Sequence, residues 1–195
     1  MSDKTVIRVL GIVGSLRKAS FNRSLMRAAK ELSPETLEIS IWERLGEIPP
    51  YNEDVETAGI PEPVAAFRDA IAKADALLVA TPEYNYGVPG VLKNAIDWAS
   101  RPPRKSALDF KPVAIFGASR GAGGTARGQL ALRQSFLFTR SPVLFDPEVL
   151  VAKADEKFDA QGNLTDEKTR EYVRRLMTAL DSWARRFEGF GKAKA

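Results

Sequence analysis

The segment "ALLVA" (Ala76 to Ala80) contains no polar residue and lies between two stretches of helical period. A strand apolar on both faces must be covered on both, and parallel sheets flanked by helices are where such strands occur. The rest of the chain repeats that alternation. "VIRVLGIV" (Val6 to Val13) precedes a segment in which Phe21, Leu25, Ala29 and Leu32 recur at helical spacing from about Ser20. In "TLEISIW", Leu37, Ile39 and Ile41 alternate with Glu38 and Ser40, the pattern of a strand with one wetter face at a sheet edge. A long loop, "EIPPYNEDVETAGIPEP", leads to Pro61 and Pro63, which open a helix carrying Val64, Phe67, Ile71 and Ala74. After "ALLVA" comes a helix with Val91, Leu92, Ala95, Ile96 and Ala99 inward, then a fourth strand, "KPVAIFGAS" (Lys111 to Ser119). A helix over about Thr125 to Phe138, a fifth strand at "PVLF" (Pro142 to Phe145) and a last helix over about Thr165 to Phe187 complete the reading.

Five strands alternating with five helices predict an α/β three-layer sandwich with a parallel sheet. Right-handed crossovers leave few windings, and a half-exposed second strand selects the flavodoxin-like order 2-1-3-4-5. The 195 residues suit a single domain spanning the whole chain, 1–195, without linker or internal repeat. The absences narrow the chemistry. With no cysteine and no histidine, the chain has no disulfide, no thiolate nucleophile, no Cys/His metal centre and no Ser-His-Asp triad. Its net charge of +4 is dispersed among acids, which favours small anionic substrates over nucleic acid. No apolar run reaches the length of a membrane span. The opening "MSDKTVIRVL" lacks the pattern of a secretory leader, so the cytoplasm is the expected compartment.

In the 2-1-3-4-5 order, ligands bind beyond the carboxyl ends of the strands, where the winding reverses. The loops there are "GSLRKASFN" (Gly14 to Asn22), "TPEYNYGVPG" (Thr81 to Gly90) and "SRGAGG" (Ser119 to Gly124), also the three most unusual stretches of the chain. The first stands between a strand and a helix N-terminus, where unpaired N–H groups favour an anion. Ser15, Ser20 and Asn22 add donors and Arg17 can grip phosphate oxygens in pairs; a solvated turn with Ser20 as N-cap is the alternative. The sequence is neither a P-loop nor a G-x-G-x-x-G fingerprint, and a compact loop of this kind suits a monophosphate such as that of FMN.

"GSLRKASFN" together with "PEYNYGVPGVLKNAIDWASR" (Pro82 to Arg101) resembles the NADPH-dependent FMN reductase family, in its chromate- and quinone-reductase branch, over nearly the whole chain. The resemblance implies a flavodoxin-like fold, non-covalent FMN, and a homodimer or homotetramer. It implies electron transfer from NADPH or NADH to quinones, free flavins or oxidised metal species such as chromate, by a ping-pong exchange through the flavin. On the same resemblance Ser15, Arg17, Ser20 and Asn22 would hold the FMN phosphate, with Phe21 among the cofactor-binding residues. Pro82, Glu83, Tyr84, Asn85 and Tyr86 would line the ring system, and Ser119 would lie near the ribityl chain or flavin edge. Pro82, Gly87, Pro89 and Gly90 can set the turn that a flat ring needs.

Several roles stay open at this stage. Tyr84 and Tyr86 serve either the flavin or a packing or subunit contact. Lys93, Asn94, Asp97 and Trp98 belong to the following helix, where capping, core or interface roles compete with function. The helix after "SRGAGG", with Arg120, is expected to face the pyrimidine end of the flavin, and Arg101 with "PPRK" is a candidate for nucleotide phosphates. No side chain is expected to act as a proton-transfer catalyst; Glu83, Asn85 and Tyr86 are orienting candidates, because the cofactor carries the chemistry. A flavodoxin-type electron carrier is the rival reading, against which the pI of 9.4 argues, and an azoreductase-like activity is a further one.

Overall fold

The computed structural model describes residues 6–190. Five parallel strands, β1 (Ile7–Val13), β2 (Leu37–Trp42), β3 (Ala76–Ala80), β4 (Val113–Ala118) and β5 (Val149–Val151), form one sheet in the order β2-β1-β3-β4-β5. This is the flavodoxin-like winding. β3 and β4 are buried at every position, whereas β2 alternates between buried and wetter positions, as its sequence period and its edge place require.

Among the described residues, five of the six helices cover the sheet. α1 (Phe21–Leu32) and α6 (Glu167–Arg186) pack one face through Leu25, Met26, Val173, Leu176 and Leu180. α3 (Glu62–Lys73), α4 (Gly90–Ala99) and α5 (Ala126–Ser135) cover the other, with Phe67, Ile71, Leu92, Trp98, Leu132 and Phe136 in the second core. The remaining helix, α2 (Glu53–Ala58), buries no residue. Among the described residues no helix is long and apolar enough to cross a membrane.

Two elements differ from the sequence expectation. The segment read as loop contains α2, held by the Asn52 side chain, which accepts from the Asp54 N–H at 2.9 Å, and by Glu53, Asp54 and Glu56 at its start. The fifth strand is not Pro142 to Phe145. Val143 makes a single parallel bridge with Val113, and the chain then leaves the ladder. The Leu144 carbonyl is taken by Arg133 at 2.8 Å, and Phe145 turns outward against Trp183 of α6. The ladder resumes at Val149–Val151, paired with Phe116 to Ala118.

Candidate cofactor site

The three loops singled out in the sequence meet at the carboxyl edge of the sheet. The Gly14 N–H donates to the Ala80 carbonyl at 2.9 Å, joining the loop after β1 to the end of β3. A side chain at position 14 would place its Cβ 2.9 Å from Leu92 and 3.2 Å from Pro82, so only glycine lets these two loops approach. The Asn22 carboxamide makes a reciprocal pair with Ala118, donating to its carbonyl and accepting from its N–H, both at 2.9 Å. That pair sets the first turn of α1 against the end of β4.

Ser15, Ser20 and Asn22 are all buried, while Arg17 and Lys18 stand exposed beside them. Ser20 occupies the N-cap position of α1, but its hydroxyl caps no backbone N–H. The N–H groups of Phe21, Asn22 and Arg23, which a helix leaves without internal partners, are therefore available to a ligand. The Ser15 hydroxyl meets the Arg17 N–H at 3.4 Å and the Arg17 guanidinium reaches only the Ala19 carbonyl. Among the described residues, Arg17, Lys18 and Arg120 enter no ion pair. The Arg120 guanidinium lies 5.7 Å from the centre of the Phe21 ring, so it reaches across to the start of α1.

The second loop is a tight hairpin. Tyr84 and Gly87 exchange backbone hydrogen bonds at 3.2 and 2.9 Å, and Asn85 and Tyr86 between them have φ of 50° and 63°. This is the mirror-image two-residue turn that usually carries glycine at its second central position. Tyr84 and Tyr86 are exposed, the latter at 68%, so neither ring serves the core. Pro82 is buried beneath them against Gly14.

Glu83 turns to the start of α5. Its carboxylate accepts from the backbone N–H groups of Arg127 and Gly128, each at 2.9 Å, and from Arg127 Nε at 2.8 Å. Burial raises its pKa, but the Gly128 N–H and the Arg127 contacts outweigh that effect and hold the group below its ordinary range. The N-terminus of α5, expected to face a ligand's electron-rich edge, thus already carries a carboxylate.

Ser119 is also committed. Its N–H donates to the Val151 carbonyl at 2.9 Å, and its hydroxyl bonds the Gly124 carbonyl, closing the loop after β4. The helix residues behind the hairpin have structural partners. Asn94 and Trp98 donate to the Pro49 carbonyl at 2.9 and 2.8 Å, Asn94 accepts from the Tyr51 N–H, and Lys93 pairs with Asp97. Arg101 stacks on Tyr51 beyond the far end of α4, about 16 Å along the helix from Gly90, and so not beside the hairpin. No local sequence pattern distinguishes Arg127, Gly128 and Gly117, since their importance comes from what packs against them. The three loops frame an open shelf; a cleft of about 530 Å³ lined by Arg8, Asp75, Lys111 and Phe187 lies at the opposite edge of the sheet.

An open parallel sheet in this order, with an uncapped helix N-terminus, buried hydroxyls and a tight hairpin at its switch point, defines a flavodoxin-like α/β protein. The family model described as NADPH-dependent FMN reductase matches residues 7–156, and the chain belongs to that family. It is 51% identical over 189 residues to an NAD(P)H-dependent FMN reductase of Pseudomonas aeruginosa, covering 97% of this chain and 100% of that protein. A quinone reductase of Pseudomonas putida is 44% identical over 180 residues, covering 92% and 96% of the two chains. Among solved structures, the flavoenzyme NAD(P)H:(acceptor) oxidoreductase FerB of Paracoccus denitrificans superposes with a TM-score of 0.85 at 38% identity, covering 93% and 98%.

Proposed function

We propose that this chain is an NAD(P)H-dependent oxidoreductase that binds FMN on the three-loop shelf and reduces quinones and flavins, with chromate among the oxidised metal species it can accept. The observation that carries the reading is the first turn of α1. Its N–H groups are uncapped, Ser15 and Ser20 are buried beside it, and Arg17, Lys18 and Arg120, which enter no ion pair among the described residues, stand near it. Those donors fit a phosphate dianion.

In this reading Ser15, Arg17, Ser20 and the N–H groups of Phe21 and Asn22 take the phosphate. The Asn22 side chain acts by fixing the first turn of α1 to β4. Pro82, Tyr84, Asn85 and Tyr86 bound the ring, and Ser119 shapes the neighbouring loop. FMN, when bound, supplies the two-electron chemistry between nicotinamide and acceptor. The chain supplies orientation, charge and an open face. Glu83 is ionised and bonded to α5, so it offers no proton to the shelf.

The open shelf accommodates flat acceptors of different shape, with either NADH or NADPH as donor. We further place the protein in the cytoplasm as one domain over residues 1–195, assembled as a homodimer or homotetramer. Leu130, Leu137 and Phe138 form an exposed apolar group along α5 and the turn after it, the kind of surface that a second subunit covers. Anaerobic titration of the purified flavoprotein with NADPH, followed in the visible flavin bands, tests the reading. Bleaching at about one equivalent per flavin is the outcome for a two-electron reductase. A yellow protein that neither NADPH nor NADH bleaches would make it a carrier.

A further inference from the structure

The turn at Asn85 and Tyr86 requires an explanation from outside itself. Both central residues lie in the left-handed region, and Tyr86 is an aromatic residue in a place that favours glycine. Such a conformation persists only where surrounding structure over-determines it. The hairpin's own bonds join Tyr84 to Gly87 and leave the Asn85 and Tyr86 N–H groups unused.

α5 grips the hairpin at three points. At the first leg, the Glu83 carboxylate, with its side chain only 9% exposed, takes the Arg127 and Gly128 N–H groups of the α5 first turn together with Arg127 Nε. At the tip, the Arg127 guanidinium so held lies 3.8 Å from the centre of the Tyr86 ring. At the second leg, Gly128 sits so close that a Cβ would come within 3.2 Å of Glu83 Cβ and 3.3 Å of the Gly87 carbonyl oxygen. One carboxylate is common to the helix cap and to the cation that stacks on the tip.

We propose that Glu83 is a positioning residue. Through Arg127 and the first turn of α5, it holds the Tyr84–Gly87 turn in the backbone conformation that offers the Asn85 and Tyr86 N–H groups to the acceptor atoms of a flat heterocycle. The inference rests on the FMN reading above. It gives Glu83 no contact with the cofactor and assigns its effect to Arg127, Gly128 and Tyr86.

Hydrogen exchange on the flavin-free protein, read at the Tyr84, Gly87 and Gly128 amides, tests the holding step without any ligand. FMN affinity, read by quenching of flavin fluorescence, tests its consequence. Glu83→Ala should speed exchange at Gly87 and weaken FMN binding, each by roughly tenfold or more. Glu83→Gln keeps an oxygen for the backbone N–H groups but loses the ion pair, and should fall between. Adding Tyr86→Gly to Glu83→Ala should recover part of the affinity, because glycine adopts the turn unaided.

Wild-type exchange and affinity in Glu83→Ala would overturn the proposal. So would an affinity loss with unchanged exchange and no recovery by Tyr86→Gly, which would put Glu83 on the cofactor itself. If Glu83→Ala does not fold, Glu83→Gln carries the same comparison. A wild-type protein that refuses FMN would refute the functional reading, while the exchange rates would still decide whether Glu83 holds the turn.

Discussion

Gly117 sits in the middle of the site's foundation with no space for a side chain. A Cβ there would fall 2.2 Å from both the Thr81 carbonyl oxygen and Thr125 Oγ1, one of them backbone that cannot swing aside. Gly117→Ala should cost about 3 kcal/mol by forcing β3, β4 and the approach to α5 apart, measurable as a lower urea midpoint at unchanged slope. Arg17 is the opposite case: it is exposed, and among the described residues its guanidinium bonds only the Ala19 carbonyl, which leaves it able to close on an anion. Arg17→Ala should leave the urea midpoint alone and weaken FMN binding by about tenfold or more, the worth of a charge-assisted hydrogen bond; fluorescence quenching reads it directly. At this scale the sequence marks the loops as unusual but does not reveal the duties within them. An asparagine or glutamate beside glycines looks the same whether its side chain faces a ligand or a neighbouring backbone. Asn22 and Glu83 turn out to hold Ala118 and α5, and only the packing of distant segments reveals that.

α6 illustrates how an element is set by its ends. Its Asp166 side chain caps the Thr169 N–H at 2.8 Å and pairs with Lys157 at 2.9 Å. The Thr169 hydroxyl, then Lys157, hold the Asp166 pKa down at about 2. Because that folded value lies below the ordinary aspartate value, the carboxylate's contribution is complete above about pH 4. It is lost as the pH falls from there through about 2. Asp166→Ala should destabilise the protein by about 1 kcal/mol at neutral pH, and the gap from wild type should close over that acid window in urea titrations. The elements that sequence periodicity found are those with an apolar face, such as β3 and α1. α2 escaped it because it buries nothing and is held by its cap and its acidic first turn. β5 was misplaced because Val143 and Leu144 look as strand-like as Val149 to Val151. The difference is that Arg133 takes the Leu144 carbonyl and Trp183 draws Phe145 outward.

At the scale of the whole molecule, the apolar group on and after α5 stands uncovered among the described residues, Leu137 being 75% and Phe138 59% exposed. Replacing both by glutamate should convert the proposed oligomer to a species eluting at the monomer mass, with the phosphate loop untouched and FMN still bound. Gel filtration with flavin absorbance checks both at once; a wild-type protein already monomeric at all concentrations would remove the subunit proposal. The Asn22–Ala118 pair carries a consequence in time. It joins residues 96 positions apart in sequence, so the helix end proposed to receive the phosphate is not aimed until β4 has entered the sheet. During synthesis, the N-terminal half of the chain would leave the ribosome with its most recognisable motif complete in sequence and still unable to retain a cofactor. With the phosphate bound where we propose, flavin capture is a late event, and a yellow protein is one whose fold has been finished at least through residue 118.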